Sequence, residues 1–325
     1  MRPLCLRGHE RPITKVLYNK EGDLLFSSSK DGIVSVWYST NGERLGTYEK
    51  GKATIFDIDV TWDSKHLITA SAGSICTMWD VETGTELRKF ETSDVVRTCS
   101  FSYCGNIMAY ATGGIMTKLS NLYVQDIREP DTRWIEKIDD FNKTIRQSHW
   151  GTLDEYIVTA HTDGTVCQWD TKLHEITREQ KVHDDEITDL QTDNNMIFLI
   201  TSSSDHTAKL MDIETLKVLK TYKTERPVNS ASISPKQDHV LLGGGQKAHD
   251  VTTTVVSAGK FDARMYHLIY EEDFGRIKGH FGPVNSIVFH PEGIGFASGG
   301  EDGIIMAYEF DDDYLDDGDL KRYEN

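Results

Sequence analysis

The sequence predicts an all-β protein, a β-propeller of seven four-stranded blades. One pattern of four short strand segments and three turn signals is repeated seven times along the 325 residues. A strand-like segment at the start of the chain matches a strand that is missing from the last repeat. A repeat of roughly 40–45 residues is the period of four-stranded propeller blades, so the chain is predicted to form one ring.

The first repeat shows how each blade is predicted. The segment 13–18 alternates apolar and polar residues, and further strand segments follow at 23–29, 33–37 and 43–48, separated by short turn sequences. Two of these turns contain Asp31-Gly32 and Asn41-Gly42. Asp-Gly and Asn-Gly supply the positive φ angles that tight hairpins need. The repeated unit is therefore an antiparallel meander.

The end of the third strand marks each repeat along the chain. The marker positions are 37, 79, 125, 169, 211, 267 and 308, and their spacings are 42, 46, 44, 42, 56 and 41 residues. Most spacings fit one blade. The spacing of 56 residues predicts an insertion, which we place at residues 243–260.

The two ends of the chain predict how the ring closes. The seventh repeat ends without a fourth strand, whereas the segment 3–6 is a strand with no blade of its own. This segment is expected to complete the seventh blade, and closure leaves only short protected sheet edges. The predicted domains are a propeller at 1–310 and an acidic, mobile tail at 311–325.

Composition excludes several classes of function. The formal net charge of -17 disfavours direct binding of nucleic acid. The apolar runs are too short to cross a membrane, and the start of the chain lacks the apolar region of a secretory signal. Five cysteines without C-x-x-C spacing predict reduced thiols and no zinc site. A cytoplasmic protein without membrane contact and without a cofactor is expected.

The repeats contain the marks of a known family. Gly8-His9 opens the first repeat, Asp31-Gly32 forms a turn within it, and Trp79-Asp80 ends the third strand of the second. By these marks the chain resembles the WD-repeat family as far as about residue 310. The resemblance implies buried hydrogen-bond networks that tie each blade's loop to its strands. The residues expected to form them are His9, Ser27, Asp31, Trp37, Thr159, Asp163, Trp169, His183, Thr201, Asp205, His280, Ser298, Asp302 and Tyr308.

Ser, His and Asp side chains are also the parts of a hydrolase triad. The structural interpretation is preferred here because the same offsets recur in several repeats, whereas an active site would occur once. The histidines form no H-E-x-x-H motif, so no metal-dependent catalysis is predicted. Blades two, three and five lack a network residue and are expected to open more readily.

Several stretches carry a closer resemblance. They are 8–14, 18–26, 36–47, 224–231, 242–246, 250–254 and 275–283. In them the chain resembles the family of subunit I of eukaryotic translation initiation factor 3. The resemblance implies a non-catalytic, cytoplasmic scaffold that binds the b and g subunits of that factor and acts with the small ribosomal subunit. A signalling adaptor that binds a receptor or a kinase is the alternative on the same fold.

A candidate partner surface lies at the junction of blades five and six. Lys217, Glu225 and Arg226 place mixed charges around Tyr222, which is expected to be exposed. Such a surface suits a partner helix laid along the groove. The alternative is an ordinary solvated strand edge.

Overall fold

Seven antiparallel four-stranded sheets account for the described residues of the chain. The computed structural model describes residues 2–49, 51–113, 120–129, 136–141, 143–245, 261–311 and 314. In six of the sheets the strands follow one another in chain order, and in the seventh the first strand of the chain pairs with the last. The predicted all-β, seven-bladed propeller is therefore confirmed.

The strands of each blade have the following bounds. Blades one and two comprise β2 (Ile13–Tyr18), β3 (Leu24–Ser29), β4 (Ile33–Tyr38) and β5 (Arg44–Glu49), then β6 (Ile55–Val60), β7 (His66–Ser71), β8 (Ile75–Asp80) and β9 (Glu86–Glu91). Blades three and four comprise β10 (Val96–Phe101), β11 (Ile107–Thr112), β12 (Ser120–Asp126) and β13 (Glu136–Phe141), then β14 (Ile145–Trp150), β15 (Tyr156–His161), β16 (Thr165–Asp170) and β17 (Glu175–Lys181). Blades five and six comprise β18 (Ile187–Thr192), β19 (Phe198–Ser203), β20 (Thr207–Asp212) and β21 (Val218–Lys223), then β22 (Val228–Ile233), β23 (His239–Gly244), β24 (Asp262–His267) and β25 (Asp273–Lys278). Blade seven comprises β26 (Val284–Phe289), β27 (Gly295–Gly300), β28 (Ile304–Glu309) and β1 (Arg2–Arg7).

The seventh blade closes the ring as predicted. β1 pairs antiparallel with β28 along its whole length, so that Leu4 lies opposite Ala307 and Leu6 opposite Ile305. Leu6 is only 3% exposed, because it packs between the seventh and first blades against Trp37. The first seven residues thus supply both a ladder of hydrogen bonds and part of the core.

The structure bears on two details of the predicted repeat, the marker position in blade six and the insertion. The residue of blade six that corresponds to Trp37 is Tyr266, one position before the predicted marker, because Tyr266 pairs with Val240 as Trp37 pairs with Leu25. The predicted insertion separates β23 from β24, and its residues 246–260 lie outside the described part of the chain.

Packing continues past the predicted end of the propeller at residue 310. The ring of Tyr314 stacks on Phe310 with a centroid distance of 4.0 Å, and its hydroxyl lies 2.7 Å from Nδ1 of His239. Tyr314 thus joins the core between blades six and seven. The other residues of the predicted tail, apart from Asp311, lie outside the described residues.

The first strands of the blades surround a central channel in a common register. Each of the seven first strands contains a β-bulge between its first and third residues, for example between Ile13 and Lys15 or between Ile55 and Asp57. A bulge re-aims the strand locally. Equivalent positions of seven strands therefore form rings around the channel, and these rings build the polar sites described below.

Apolar side chains fill the spaces between neighbouring blades. Between blades one and two, for example, Phe26 and Tyr48 pack with Leu67 and Trp79, all at most 6% exposed. Small residues in the turns also matter for this packing. A Cβ on Gly8 would lie 2.9 Å from the ring of Trp37, so the glycine before His9 allows the loop to sit on the indole. Among the described residues there is no helix long and apolar enough to cross a membrane.

Candidate functional site

Blade one contains a complete chain of buried hydrogen bonds. His9 Nδ1 lies 3.0 Å from an oxygen of Asp31, and Nε2 lies 2.9 Å from the hydroxyl of Ser27. The indole N–H of Trp37 donates to the same hydroxyl at 2.9 Å. A carboxylate only accepts hydrogen bonds, so Nδ1 of His9 carries the proton and the Ser27 hydroxyl donates to Nε2. The predicted network of these four residues is present.

Burial excludes Ser27 as a nucleophile, although the direction of donation is the same as in a catalytic triad. Ser27 is 0% exposed, its proton is directed at His9, and its oxygen accepts from Trp37. Burial lowers the pKa of His9, although Asp31 acts in the opposite direction. The imidazole is therefore neutral at pH 7 and serves as a link between the loop and the strands.

Blades five and seven repeat the chain with one difference each. In blade five, His183 lies 2.8 Å from Thr201 and 2.9 Å from Asp205, and Thr207 adds a contact of 3.1 Å. This blade was expected to be weak because Met211 replaces the tryptophan. Its histidine still joins Thr201 to Asp205, and the hydroxyl of Thr207 is a further partner of Nδ1, although Met211 has no N–H to donate to Thr201.

In blade seven, His280 lies 2.9 Å from the hydroxyl of Ser298 and 3.2 Å from Asp302. The expectation for Tyr308 was wrong, since its hydroxyl donates to the carbonyl of Lys278 in the neighbouring blade at 3.5 Å. A phenol carries its donor at the far end of the ring, beyond the position of an indole N–H. Tyr308 therefore ties two blades together instead of completing the network within one.

In blade four, Thr159 and Asp163 bond to different partners. The hydroxyl of Thr159 bonds to Nε2 of His161 at 3.0 Å, whereas Asp163 accepts from Thr165 at 2.6 Å and pairs with Lys143 at 3.1 Å. Trp169 is buried in the core between blades three and four. No histidine precedes the first strand of this blade, whereas His9 and His183 join the hydroxyl to the carboxylate in blades one and five.

We expect hydrogen exchange to separate the blades by their networks. Amides of the second strands β3, β19 and β27, which contribute Ser27, Thr201 and Ser298, should exchange more slowly than those of β7 and β11. In blade two, only the bond from Trp79 to Thr69, at 3.2 Å, remains. Mass spectrometry of exchanged peptides measures this order directly. Equal protection of all five strands would contradict it.

A second polar system lines the central channel. The third residue of all seven first strands is polar, and these residues form the channel ring: Lys15, Asp57, Thr98, Gln147, Asp189, Ser230 and Ser286. Several members bond to the open edge of the next first strand. The amide of Val16 donates to Ser286 at 3.1 Å, and that of Cys99 donates to Asp57 at 3.2 Å. The ring therefore satisfies donors that no neighbouring strand reaches.

Lys15 is the only cation of the channel ring. Its ammonium bonds to Asp189 across the channel at 2.8 Å and lies 3.9 Å from Asp57. Burial opposes the charge of Lys15, but the two carboxylates more than compensate, so the pKa of Lys15 is raised. The same contact lowers the pKa of Asp189 against the effect of its burial. Blades one, two and five are thus linked through one buried ammonium.

The channel ring was not predicted from the sequence. The signal was present, because each ring residue lies two positions after the first apolar residue of a first strand. This spacing can be recognised only when the seven first strands are aligned with their bulges. The bulges are a feature of the folded sheet and are not visible in the sequence. Two carboxylates and one lysine at separate places in the sequence do not by themselves predict a ring.

The carboxyl of Asp59, two residues after Asp57, is expected to make the stability of the protein depend on pH. Burial raises the pKa of this carboxyl to about 7, although amides of Phe101 and Val60 donate to it at 2.6 and 2.8 Å. Because the folded pKa lies above the unfolded one, wild type gains stability as pH falls from 8 to 5, and Asp59→Asn does not. One proton changes the difference by at most about 1.4 kcal/mol per pH unit.

Urea denaturation of wild type and Asp59→Asn at pH 8, 7, 6 and 5 measures this difference. Other titrating groups contribute equally to both proteins and cancel in the comparison. A difference in the free energy of unfolding that does not change with pH would contradict the raised pKa.

The groove between blades five and six differs from the prediction at its centre. Tyr222 is 0% exposed, and its hydroxyl donates to the carbonyl of Leu268 in blade six at 2.8 Å. The expectation of an exposed tyrosine was therefore wrong, because this side chain faces the adjacent blade. Lys217 and Glu225 are exposed and Arg226 is half-buried. Glu225 lies 3.3 Å from Arg264 of blade six.

Comparisons with known proteins agree with this architecture. The family model described as EIF3I matches residues 1–318. Eukaryotic translation initiation factor 3 subunit I of Homo sapiens is 47% identical over 320 residues, which are 97% of this chain and 98% of that protein. The subunit I proteins of Taeniopygia guttata and Drosophila grimshawi are 48% and 49% identical and also cover 97% of the chain. The chain belongs to the family of subunit I of eukaryotic translation initiation factor 3.

Proposed function

We propose that this protein is a non-catalytic scaffold subunit of eukaryotic translation initiation factor 3 in the cytoplasm. The observation that carries the proposal is family membership over almost the whole chain. The site chemistry agrees with it, because the Ser27 and Ser298 hydroxyls that bond to His9 and His280 belong to fully buried residues that a substrate does not reach. Within the described residues, no group of three or more potential ligands is placed to hold a metal ion.

The partners we propose are the b and g subunits of the factor, with the small ribosomal subunit reached through the assembled complex. The net charge of -17 supports contact through proteins, since it opposes direct binding to a polyphosphate backbone. Affinity purification of the tagged chain from cell extract, followed by mass spectrometry, tests this proposal. Recovery of a receptor or kinase complex without factor subunits would favour a signalling adaptor instead and overturn the scaffold.

We propose the groove between blades five and six as one partner surface. Its outer strand β21 is a sheet edge, with Lys217, Lys220 and Lys223 along it. Lys220 lies 3.6 Å from Glu271 of blade six, so the charges there are mixed. An edge of this kind suits an amphipathic helix with acidic residues on its rim. Lys217, Glu225 and Arg226 are the side chains that would meet it.

Charge reversal tests this surface. The double variant Lys217→Glu and Arg226→Glu is expected to reduce recovery of one factor subunit by about tenfold, because each charge would then repel the partner's acidic rim. Lys172→Glu, on blade four, is the matched control, since Lys172 is 73% exposed. Tyr222→Phe should leave recovery unchanged, because the hydroxyl of Tyr222 is bonded inside the protein. Equal loss with Lys172→Glu would argue against the groove.

A further inference from the structure

The central channel widens into a cavity of about 290 Å³ on one face of the propeller. Lys15, Asp57 and Gln147 of the channel ring line its inner end. The opening lies among the loops that join the first and second strands of the blades, including those with Trp62 and Tyr103. We call this opening the channel mouth. It lies on the face opposite His9 and Phe281, which precede first strands.

The cavity wall carries polar atoms that lack a matching partner. Asp59 lines the cavity, and no basic side chain of the described residues lies within ion-pair distance of it, since Lys15 pairs with Asp189 and Asp57. Ser100 is 3% exposed, and its hydroxyl, in the same wall, has no hydrogen-bond partner among the described protein residues. A group that enters the cavity can therefore bond to this hydroxyl without breaking a bond within the protein.

His149 adds a third group to this wall. Its Nδ1 lies 2.8 Å from the carbonyl of Trp150, so Nδ1 donates and Nε2 remains an acceptor. Burial also lowers the pKa of His149, which keeps the ring neutral. A carboxylate, a hydroxyl oxygen and an imidazole nitrogen therefore line one cavity, and all three can accept hydrogen bonds from a cationic group.

Large apolar side chains form an exposed arc around the channel mouth. They belong to four consecutive blades and occupy equivalent loops: Trp62 is 61% exposed, Tyr103 59%, Leu153 74% and Ile197 52%. Apolar residues scattered singly need no explanation, but here the equivalent loops of four consecutive blades each expose one, and such a concentration marks an interaction surface. The arc therefore points to a partner with apolar side chains.

Hydrogen bonds between blades hold this arc in place. The carboxylate of Asp154 accepts from the amides of Tyr103 and Cys104 at 2.5 and 3.0 Å and so joins the loops of blades three and four. The hydroxyl of Thr152 donates to the carbonyl of Met196 at 3.0 Å and joins blades four and five. A surface fixed before binding loses less conformational entropy when a partner docks.

We propose that the channel mouth binds a segment of a partner protein in which one arginine or lysine is flanked by large apolar residues. The cationic side chain enters the cavity toward Asp59 and Ser100, and the apolar neighbours rest on Trp62, Tyr103 and Leu153. Arginine fits better than lysine, because its fork of N–H donors can reach several acceptors at once. A second copy of this chain or an acidic segment would place like charges together.

The inference rests on the scaffold role proposed above, and it adds a surface distinct from the groove of blades five and six. Labelled octapeptides with one arginine between leucine and phenylalanine residues are the probe, and the same peptides with glutamine in place of arginine are the control. Fluorescence anisotropy with the full chain is expected to show binding of the arginine peptides, weakened by added salt. Equal affinity for the glutamine peptides, or no binding, would overturn the inference.

Variants locate the binding site. Trp62→Ala and Asp59→Asn are each expected to weaken peptide binding by about tenfold, as for central residues of an interface. Ser100→Ala should weaken it in the same direction, and it removes only an unpartnered hydroxyl. Phe281→Ala is the matched control, because Phe281 is an aromatic residue 85% exposed on the opposite face. Binding that survives Trp62→Ala and Ser100→Ala would place the peptide elsewhere and overturn the inference.

Two controls separate possible failures. Asp59→Asn sets an amide N–H against a backbone donor, so its urea midpoint must be compared with that of wild type, whereas Trp62 is largely exposed and does not support the fold. Co-purification of initiation factor subunits with the wild-type chain tests the scaffold role separately. Factor subunits without peptide binding would overturn only the channel mouth, and peptide binding without factor subunits would overturn only the scaffold role.

Discussion

Replacing Lys15 with methionine is expected to lower the free energy of unfolding by about 3–5 kcal/mol. Methionine fills a similar volume but leaves Asp189 and Asp57 in the channel ring without their cation. The side chains of these two aspartates are only 6% and 5% exposed, so water solvates them far less well than the ammonium does. Each carboxylate must then remain as an unpaired buried charge or take up a proton. Urea denaturation at pH 7 measures the loss.

The matched control is Lys30→Met. Lys30 pairs with Glu301 at 3.1 Å between blades one and seven, but its side chain is 43% exposed. A solvated ion pair contributes at most about 1 kcal/mol, so this variant should unfold close to wild type. If both variants lost the same stability, the channel ring would not be the feature that holds blades one, two and five together.

Removing residues 1–7 is expected to have an even larger effect. The deletion takes away the outer strand of blade seven, exposes the edge of β28, and uncovers the core around Trp37 and Ile305 that Leu6 fills. An open hydrophobic edge favours pairing with another chain. The shortened protein should therefore lose its cooperative unfolding transition at 25 °C and aggregate, which circular dichroism and light scattering detect.

Two point variants test the same contact in the full chain. Leu6→Ala should cost about 2–4 kcal/mol, because it leaves a cavity in the core between blades seven and one. Leu4→Ala is the control, since Leu4 is 36% exposed, and it should change stability by less than about 0.5 kcal/mol. A deletion variant that remained monomeric with a wild-type midpoint would show that β1 is dispensable for closure.

The repeat made most of the fold predictable. Seven copies of one meander, with Asp-Gly turns and an unpaired strand at 3–6, are enough to predict blade number, strand order and closure. These features depend on local turn chemistry and on alternation along a strand, both of which are visible in one sequence. The networks around His9 and His183 were predictable for the same reason, since their members recur at fixed offsets.

Contacts between blades were predicted less well. Tyr222 and Tyr308 were each expected to act within their own blade. The hydroxyl of Tyr222 instead donates to the carbonyl of Leu268 in the neighbouring blade, and that of Tyr308 donates to the carbonyl of Lys278. Asp163 was expected in a network with Thr159, and it pairs with Lys143 and accepts from Thr165. The spacing of residues within a repeat does not show which side chain contacts the neighbouring blade.

The amino-acid sequence alone determined the seven-bladed ring and the family to which the chain belongs, because both follow from local, repeated patterns. Only the tertiary structure decided the channel ring and the channel mouth. Lys15 and Asp189 are 174 residues apart, and they meet because ring closure brings the first strands of seven blades to one axis. The charges of these two residues, and the carboxyl of Asp59 that lacks a basic partner among the described residues, interact strongly only because the folded propeller excludes water around them.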